Sequence, residues 1–261
     1  MRRRHPYGGV VLRAVTLFGF FLLRPMAAQD TRLPFSSGER LRYAVRWRGL
    51  PAGHAEILVS PDRSAMGRWK ASAKAKSVGY VSNIYPVDDE YQSQFRSPGF
   101  CSSGIHKQTR EGERHRDVKL QFDSQRRLAR LEDRDMVDNT RPKVEQFAIL
   151  ECVQDILSAV YYARSLPLTV GQSFEFPLID GAKTIQIHVD VQAEEEITTE
   201  AGKFQAVRVE PDVFSGHLFT GKGRMFLWFT NDARRIPVQL RAHISVGTII
   251  ATLSDIGRAT D

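Results

Sequence analysis

Residues 39–48 read Glu-Arg-Leu-Arg-Tyr-Ala-Val-Arg-Trp-Arg, with an apolar side chain at every second position from Leu41 to Trp47. Arginine fills most of the positions between them. Successive side chains of a β-strand point to opposite faces, so period two separates a buried face from a solvated one. The stretch therefore predicts a half-buried β-strand.

The same alternation recurs along most of the chain. Asp180-Gly181 stands between two apolar runs, and this dipeptide between strands is a strong hairpin signal. Large antiparallel sheets tend to curve or close, because exposed edges are thereby protected. The sequence predicts a mainly β fold with a single antiparallel, strongly curved sheet, a barrel or half-barrel. Predicted strands include residues 55–59, 69–75, 91–95, 105–110, 118–122, 174–179, 185–191, 236–244 and 249–253.

One segment breaks the alternation. Apolar residues recur there at steps of three and four, and the pattern stops before Leu166-Pro167. This spacing is typical of a helix with one apolar face. It predicts one short α-helix near residues 152–164 that covers the sheet, with Cys152, Ile156, Ala159, Val160 and Ala163 on the apolar face.

The N-terminal segment resembles a targeting element. Met1-Arg2-Arg3-Arg4 is basic, residues 14–23 are almost entirely apolar, and small residues follow at Ala27-Ala28. This order predicts a signal peptide over residues 1–28, and hence a periplasmic or otherwise exported protein of the cell envelope. We expect no integral membrane span in the mature form, because the apolar run is too short for one. Residues 29–261 are then a single β-rich domain of unknown function.

The high basic charge belongs mainly to that first segment. Residues 1–30 hold five arginines and one acidic residue, so the formal net charge falls from +7 for the whole chain to +3 for the remainder. Nucleic-acid-binding domains usually show a concentrated basic face. We therefore expect no nucleic-acid partner.

The chain has two cysteines, Cys101 and Cys152. In an oxidising compartment such a pair favours a disulfide, which by loop length would stabilise the fold by about 4 kcal/mol. The alternative is two buried thiols that act as small apolar side chains.

Stretches that resemble known catalytic or nucleotide-binding motifs lack residues that those motifs require. His115-Arg116-Asp117 resembles the start of a kinase catalytic loop, but Phe122 occupies the position of the metal-binding asparagine. The stretch from Gly216 to Gly223 resembles a phosphate-binding loop but lacks the Ser or Thr, and a strand pattern follows it. The histidines show no metal-ligand spacing. We assign no catalytic residue, no metal ligand and no cofactor.

Five aromatic residues fall at the alternate positions that carry the apolar side chains of predicted strands. An aromatic core is the ordinary interpretation of this pattern. The alternative is that they line a gap in the curved sheet and bind a lipid-like ligand. These candidate lining residues are Tyr43, Trp47, Trp69, Tyr91 and Phe95.

Several segments, in order, give the chain a family resemblance. They are residues 85–89, 155–164, 202–204, 227–238 and 247–253. From about Leu41 to Leu253 the chain resembles the exported bacterial family called domain of unknown function 3108. The resemblance implies export and a β-rich fold, and it brings no known activity.

Five residues of these segments have predicted structural roles. Asp155 would lie in the first turn of the helix, where a carboxylate is favoured, and Ser158 would lie on or near its covered face. Asp232 would cap the turn after the strand of Trp228, and Pro237 suits the start of an edge strand.

Three functional hypotheses follow. The first is a non-enzymatic envelope protein that binds an apolar or amphiphilic, lipid-like component. The second is a protein-interaction or envelope-assembly factor. The third is an enzyme of unrecognised type, since catalytic groups need not form a linear motif.

Overall fold

A computed structural model describes residues 33–138, 141–214 and 223–259 of the chain. The predicted signal peptide, residues 1–28, lies outside the described residues. So does most of the glycine-rich stretch that resembles a phosphate-binding loop.

Fourteen strands make up most of the described chain. The alternation of residues 39–48 becomes β1, in which Leu41 and Tyr43 are buried and Arg42 is exposed. The strands are β1 (Glu39–Trp47), β2 (Leu50–Pro61), β3 (Arg68–Ser77), β4 (Asp88–Arg96), β5 (Ser102–Glu111), β6 (Arg114–Asp123), β7 (Leu128–Asp135), β8 (Lys143–Ala148), β9 (Ser173–Asp180), β10 (Lys183–Thr199), β11 (Gly202–Pro211), β12 (Arg224–Thr230), β13 (Pro237–Ile244) and β14 (Gly247–Arg258).

All fourteen strands lie in one antiparallel sheet, ordered β8-β7-β6-β5-β4-β3-β2-β1-β14-β13-β12-β11-β10-β9. The sheet is not closed, since β8 and β9 are its edges in the described chain. Between these edges runs the segment after β8, where Gln154 donates its N–H to Pro177 and accepts from the N–H of Ile179 on β9. The prediction of a mainly β, curved antiparallel sheet is confirmed.

The helix begins later than predicted. The helix α2 spans Ile156–Ser165, and Asp155 is its N-cap with extended backbone rather than a residue of its first turn. Residues 152–154 are not helical, because the backbone of Val153 and Gln154 bonds to neighbouring strands. A second helix, α1 (Gly79–Ile84), was not predicted, and only Val81 of it is buried.

Helix α2 separates two parts of the core. The first cluster contains Leu157 and Tyr161 of the helix, with Phe35 and Phe95. The second gathers residues of β9–β12, and Val160 packs against it from the helix. A third cluster, around Leu41 and other residues of β1 and β12–β14, contains no residue of α2. The helix therefore fills the space that the curved sheet encloses.

The up-and-down topology gives the sheet two distinct ends. At one end, which we call the rim, lie the turns after β1, β3, β5, β7, β9 and β13, with α1 between β3 and β4. At the other end lie the turns after β2, β4 and β6, and the chain leaves β8 there to form α2 and returns to β9. The rim thus gathers turns that are far apart in sequence.

A disulfide joins Cys101, beside β5, to Cys152, before α2, with the two Cα atoms 4.9 Å apart. Closing a loop of 51 residues restricts the unfolded chain, so the bond should stabilise the fold by about 4 kcal/mol.

We expect the Cys101→Ala/Cys152→Ala variant to unfold at a clearly lower denaturant concentration than the oxidised protein. Alkylation without reductant should label neither cysteine, and quantitative labelling of both would contradict the disulfide.

Candidate functional site

The C-terminal end of α2 carries a fully buried charge. The guanidinium of Arg164 donates to both carboxylate oxygens of Glu39, at 2.6 and 3.0 Å. It also donates to the backbone carbonyls of Pro34 and Arg234, and it lies over the rings of Phe35 and Tyr161. A buried cation is tolerated when a partner charge and further acceptors surround it, as here. This group ties α2 to β1 and to the β12–β13 turn.

The N-terminal end of α2 is held by a buried carboxylate. Asp155 accepts from the hydroxyls of Ser93 on β4, at 2.6 Å, and Ser102 on β5, at 2.5 Å. It also accepts from the backbone N–H groups of Leu157 and Ser158, and the Ser158 hydroxyl accepts from the Asp155 N–H. Burial raises the pKa of Asp155, and the four donors oppose that rise. The capping box therefore also docks the helix on the sheet.

Sequence reasoning did not assign roles to Glu39, Ser93, Ser102 or Arg164. A signal was present for two of them. In the alternating pattern, Glu39 falls on the same face of its strand as Leu41 and Tyr43. Ser93 likewise falls on the same face as Tyr91 and Phe95. A polar residue on the apolar phase of a strand must find a buried partner. The alternation marks such positions but does not name the partner.

The five aromatic candidates do not line one common cavity. Trp69, Tyr91 and Phe95 pack in or against the first cluster, where Phe95 stacks on Tyr161 with ring centroids 5.3 Å apart. Tyr43 belongs to the third cluster and donates its hydroxyl to the Pro237 carbonyl. Trp47 lies at the rim, where its indole N–H donates to Val246. Strand order separates them, because β1 and β4 lie three strands apart.

The family-motif residues occupy structural positions. Ser158 is buried in the capping box. Asp232 accepts from the N–H groups of Arg234 and Arg235, which closes the β12–β13 turn. The indole N–H of the buried Trp228 donates to Glu195. Pro237 is the first residue of β13, but β13 lies between β12 and β14, so the prediction of an edge strand there is wrong. Its missing N–H is tolerated because the β12–β13 pairing has a bulge at this point.

A cavity of about 230 Å³ lies between β4–β6, the start of α2 and the end of β9. Lys107 and Asp180 form an ion pair in its wall, and Arg116 pairs with Asp133. Both basic side chains are thus paired with a carboxylate. The lining residues are Tyr91, Lys107, Thr109, Arg116, Val118, Ile156 and Asp180.

A second cavity, of about 350 Å³, lies between β1–β3 and the tip of the β10–β11 hairpin at Glu200. Most of its lining side chains are charged or polar, and Tyr43 contributes part of the wall. Both cavities have charged side chains in their walls.

A buried carboxyl group lies on β4 near the rim. Asp89 is 5% exposed, and it accepts from the Arg110 N–H and from the Tyr91 hydroxyl. Burial, together with the nearby Glu111 carboxyl, raises the pKa of Asp89 to about 6. This group therefore titrates close to physiological pH.

Large apolar side chains are exposed at the rim. Among the thirteen exposed large hydrophobic residues of the described chain, eight lie there, on or beside α1 and on the turns. They are Leu50, Tyr80, Ile84, Tyr85, Met136, Val137, Val144 and Val246. This end of the described chain thus exposes more large apolar side chains than the other end, which makes it the candidate interaction surface.

Two further findings concern the described residues alone. No group of three or more His, Cys, Asp or Glu side chains in that part of the chain is placed to hold a metal ion. No helix within it is long and apolar enough to cross a membrane.

The sequence matches the family model described as "Protein of unknown function (DUF3108)" over residues 42–254. The chain belongs to this family. The match covers every described strand from β2 to β13 and about two thirds of β1 and of β14, and the resemblance found in the motif segments is confirmed. No curated protein is similar enough to count as a match.

Among solved structures, the chain is similar to a β-barrel-like protein of the family DUF1849 from Brucella abortus. The TM-score is 0.55 at 8% sequence identity, over 85% of this chain and 98% of that one. A protein with a YmcC-like fold from Bacteroides fragilis gives a TM-score of 0.39 at 9% identity, over 87% and 98%. The first similarity shows a shared fold, and at that identity it shows nothing more.

We expect Arg164→Met to lose about 3–5 kcal/mol of unfolding free energy, because Glu39 would keep a buried charge without its partner. The control is Glu56→Gln, which removes the half-exposed pair with Arg42 and should cost less than about 1 kcal/mol. Denaturant unfolding of both variants measures the difference. Equal small losses would show that the buried pair does not hold the helix.

We expect the stability to fall as the pH rises from about 4 to 7, in part because of Asp89. Its folded pKa lies above its unfolded value, so in this window the folded state holds a proton that the unfolded state has released, and rising pH removes that advantage. Asp89→Asn should flatten the fall. Glu90→Gln, on the same strand, should not, because the pKa of Glu90 is lowered. Unfolding curves across this pH range give the slopes, and identical slopes for Asp89→Asn and the unchanged protein would contradict the assignment.

Proposed function

We propose that the chain is exported and acts in the cell envelope as a non-enzymatic protein that binds another envelope component through its rim. The basic and apolar pattern of residues 1–28 supports export. The disulfide between Cys101 and Cys152 supports it too, because disulfides persist in oxidising compartments.

The observation that carries the proposal is the distribution of apolar surface. The interior is filled by α2 and by the first and second clusters, whereas side chains such as Tyr80 and Val137 remain 70% and 58% exposed at the rim. Exposing such groups costs free energy unless a partner covers them. This distribution favours binding at a surface over binding inside a chamber.

The buried charged groups support a non-enzymatic role. Asp155, Arg164 and Glu39 all have their hydrogen-bonding capacity used by partners that hold α2. A catalytic group needs access to a substrate, and these side chains are fully or almost fully buried.

Binding of an amphiphilic ligand inside the sheet is the second candidate. One observation favours it: Tyr91, Val118 and Ile156 give the smaller cavity a partly apolar wall. Its volume of about 230 Å³ is small against the ~300 Å³ at which ligand pockets usually begin. Native mass spectrometry of the exported protein would reveal a retained amphiphile.

Site-specific photo-cross-linking in living cells tests the rim. A photoreactive phenylalanine analogue at Tyr80 or Met136 should give cross-linked products in the envelope fraction. The matched control positions, Met66 and Leu128, are also exposed but lie at the opposite end of the sheet. They should give several-fold less product. Equal yields at both ends, or products confined to the cytoplasm, would contradict the proposal.

A further inference from the structure

One part of the rim combines apolar and basic character. Three segments meet there: the β1–β2 turn, the β13–β14 turn and the stretch that carries α1. The Arg48 N–H donates to the Thr248 carbonyl, the Trp47 indole donates to Val246, and the Val78 N–H donates to the Ala52 carbonyl of β2. We call this surface the tip, and it comprises residues 46–51, 77–85 and 243–248.

The tip presents apolar side chains of a particular kind. Leu50 and Val246 are each 54% exposed, and Tyr80 and Ile84 of α1 are 70% and 54% exposed. Trp47 is partly exposed, with its polar N–H bonded to backbone. Tryptophan and tyrosine favour the boundary between water and lipid, and aliphatic side chains favour the layer just beneath it.

The two turns of the tip carry positive charge. Residues 46–51 and 243–248 contain Arg46 and Arg48 and no Asp or Glu. On the side of α1, Asp88 pairs with Lys76, Asp89 is buried, and Glu111 lies near Tyr85. Arg46 donates to the Gly49 carbonyl and Arg48 to the Val246 carbonyl. A backbone carbonyl orients a guanidinium but leaves its net charge in place, so both charges remain available to an anionic partner.

The opposite end of the sheet shows the contrast. The β6–β7 turn also exposes two arginines and a leucine, Leu128. There, however, Arg126 pairs with Asp123 and Arg127 with Glu151. Similar residue types thus give a neutralised surface at one end and a basic apolar surface at the other.

We propose that the tip docks on the surface of an anionic lipid bilayer, with Leu50, Ile84 and Val246 entering the interface and Arg46 and Arg48 facing lipid phosphates. This inference rests on the proposed function, because it names the envelope component that one part of the rim binds. The bilayer is the occupant that the charge favours, since it offers a dense negative surface next to an apolar layer. The turns are short and hydrogen-bonded, so the tip docks without refolding.

Vesicle flotation tests the charge. The full chain, recovered from the extracytoplasmic fraction of the expressing cell, is mixed with vesicles of phosphatidylglycerol and phosphatidylcholine, or of phosphatidylcholine alone. We expect binding to the anionic vesicles that weakens with salt. Arg46→Gln/Arg48→Gln should lower the partition coefficient on the order of 30-fold. The matched control, Arg126→Gln/Arg127→Gln, should lower it less than about twofold, since those charges are already paired.

Tryptophan quenching tests the orientation. Trp47 is at the tip, whereas Trp228 is buried in the third cluster and Trp69 packs on the first. Lipids brominated in the acyl chains should therefore quench the fluorescence of the unchanged protein. They should leave the Trp47→Phe variant nearly unquenched. Leu50→Ser/Ile84→Ser should reduce both quenching and binding, and unchanged denaturation midpoints would show that these variants fold.

The inference is overturned if no vesicle binds, if both arginine pairs have the same effect, or if binding occurs without quenching of Trp47. Photo-cross-linking at Met136 distinguishes this failure from failure of the proposed function, because Met136 lies on the rim but outside the tip. Cross-links at Met136 without vesicle binding would support the rim as a protein-binding surface and would contradict lipid binding by the tip.

Discussion

One buried ion pair, between Arg164 and Glu39, fixes helix α2 against the sheet. Removing both charges from water costs several kcal/mol, and this cost is offset only if every acceptor stays in place. The acceptors come from β1, from the backbone at Pro34 and from the β12–β13 turn at Arg234. Fixing the guanidinium therefore fixes the position of α2 against three separate parts of the chain.

The second attachment of α2 makes this constraint effective. Asp155 binds hydroxyls on β4 and β5, the disulfide lies beside it, and Gln154 bonds to β9. A helix held at both ends cannot leave the sheet without exposing a buried charge at each. The space around α2 is consequently filled by packed side chains of the first and second clusters.

The rim follows from topology. In an up-and-down antiparallel sheet alternate turns meet at one end, so segments near residues 48, 80 and 246 become neighbours. None of these segments alone resembles a binding motif. Together they present aromatic, aliphatic and basic groups at one end of the sheet, whereas α2 is bonded to the β12–β13 turn at the other end.

Period-two alternation in the sequence predicts most of the strands, because it reflects the pleat of each strand, and the three- and four-residue spacing predicts most of α2. The strands β7, β8 and β11 were not predicted. The alternation also shows that Glu39 and Ser93 are polar residues on the apolar faces of their strands. The folded chain adds three things that no local pattern shows. Glu39 meets Arg164, 125 positions away, the five aromatic candidates separate, and the turns gather at the rim. The reason is physical: local patterns arise from neighbours a few residues apart, whereas the pairing of buried charges depends on strand order and on where the chain returns.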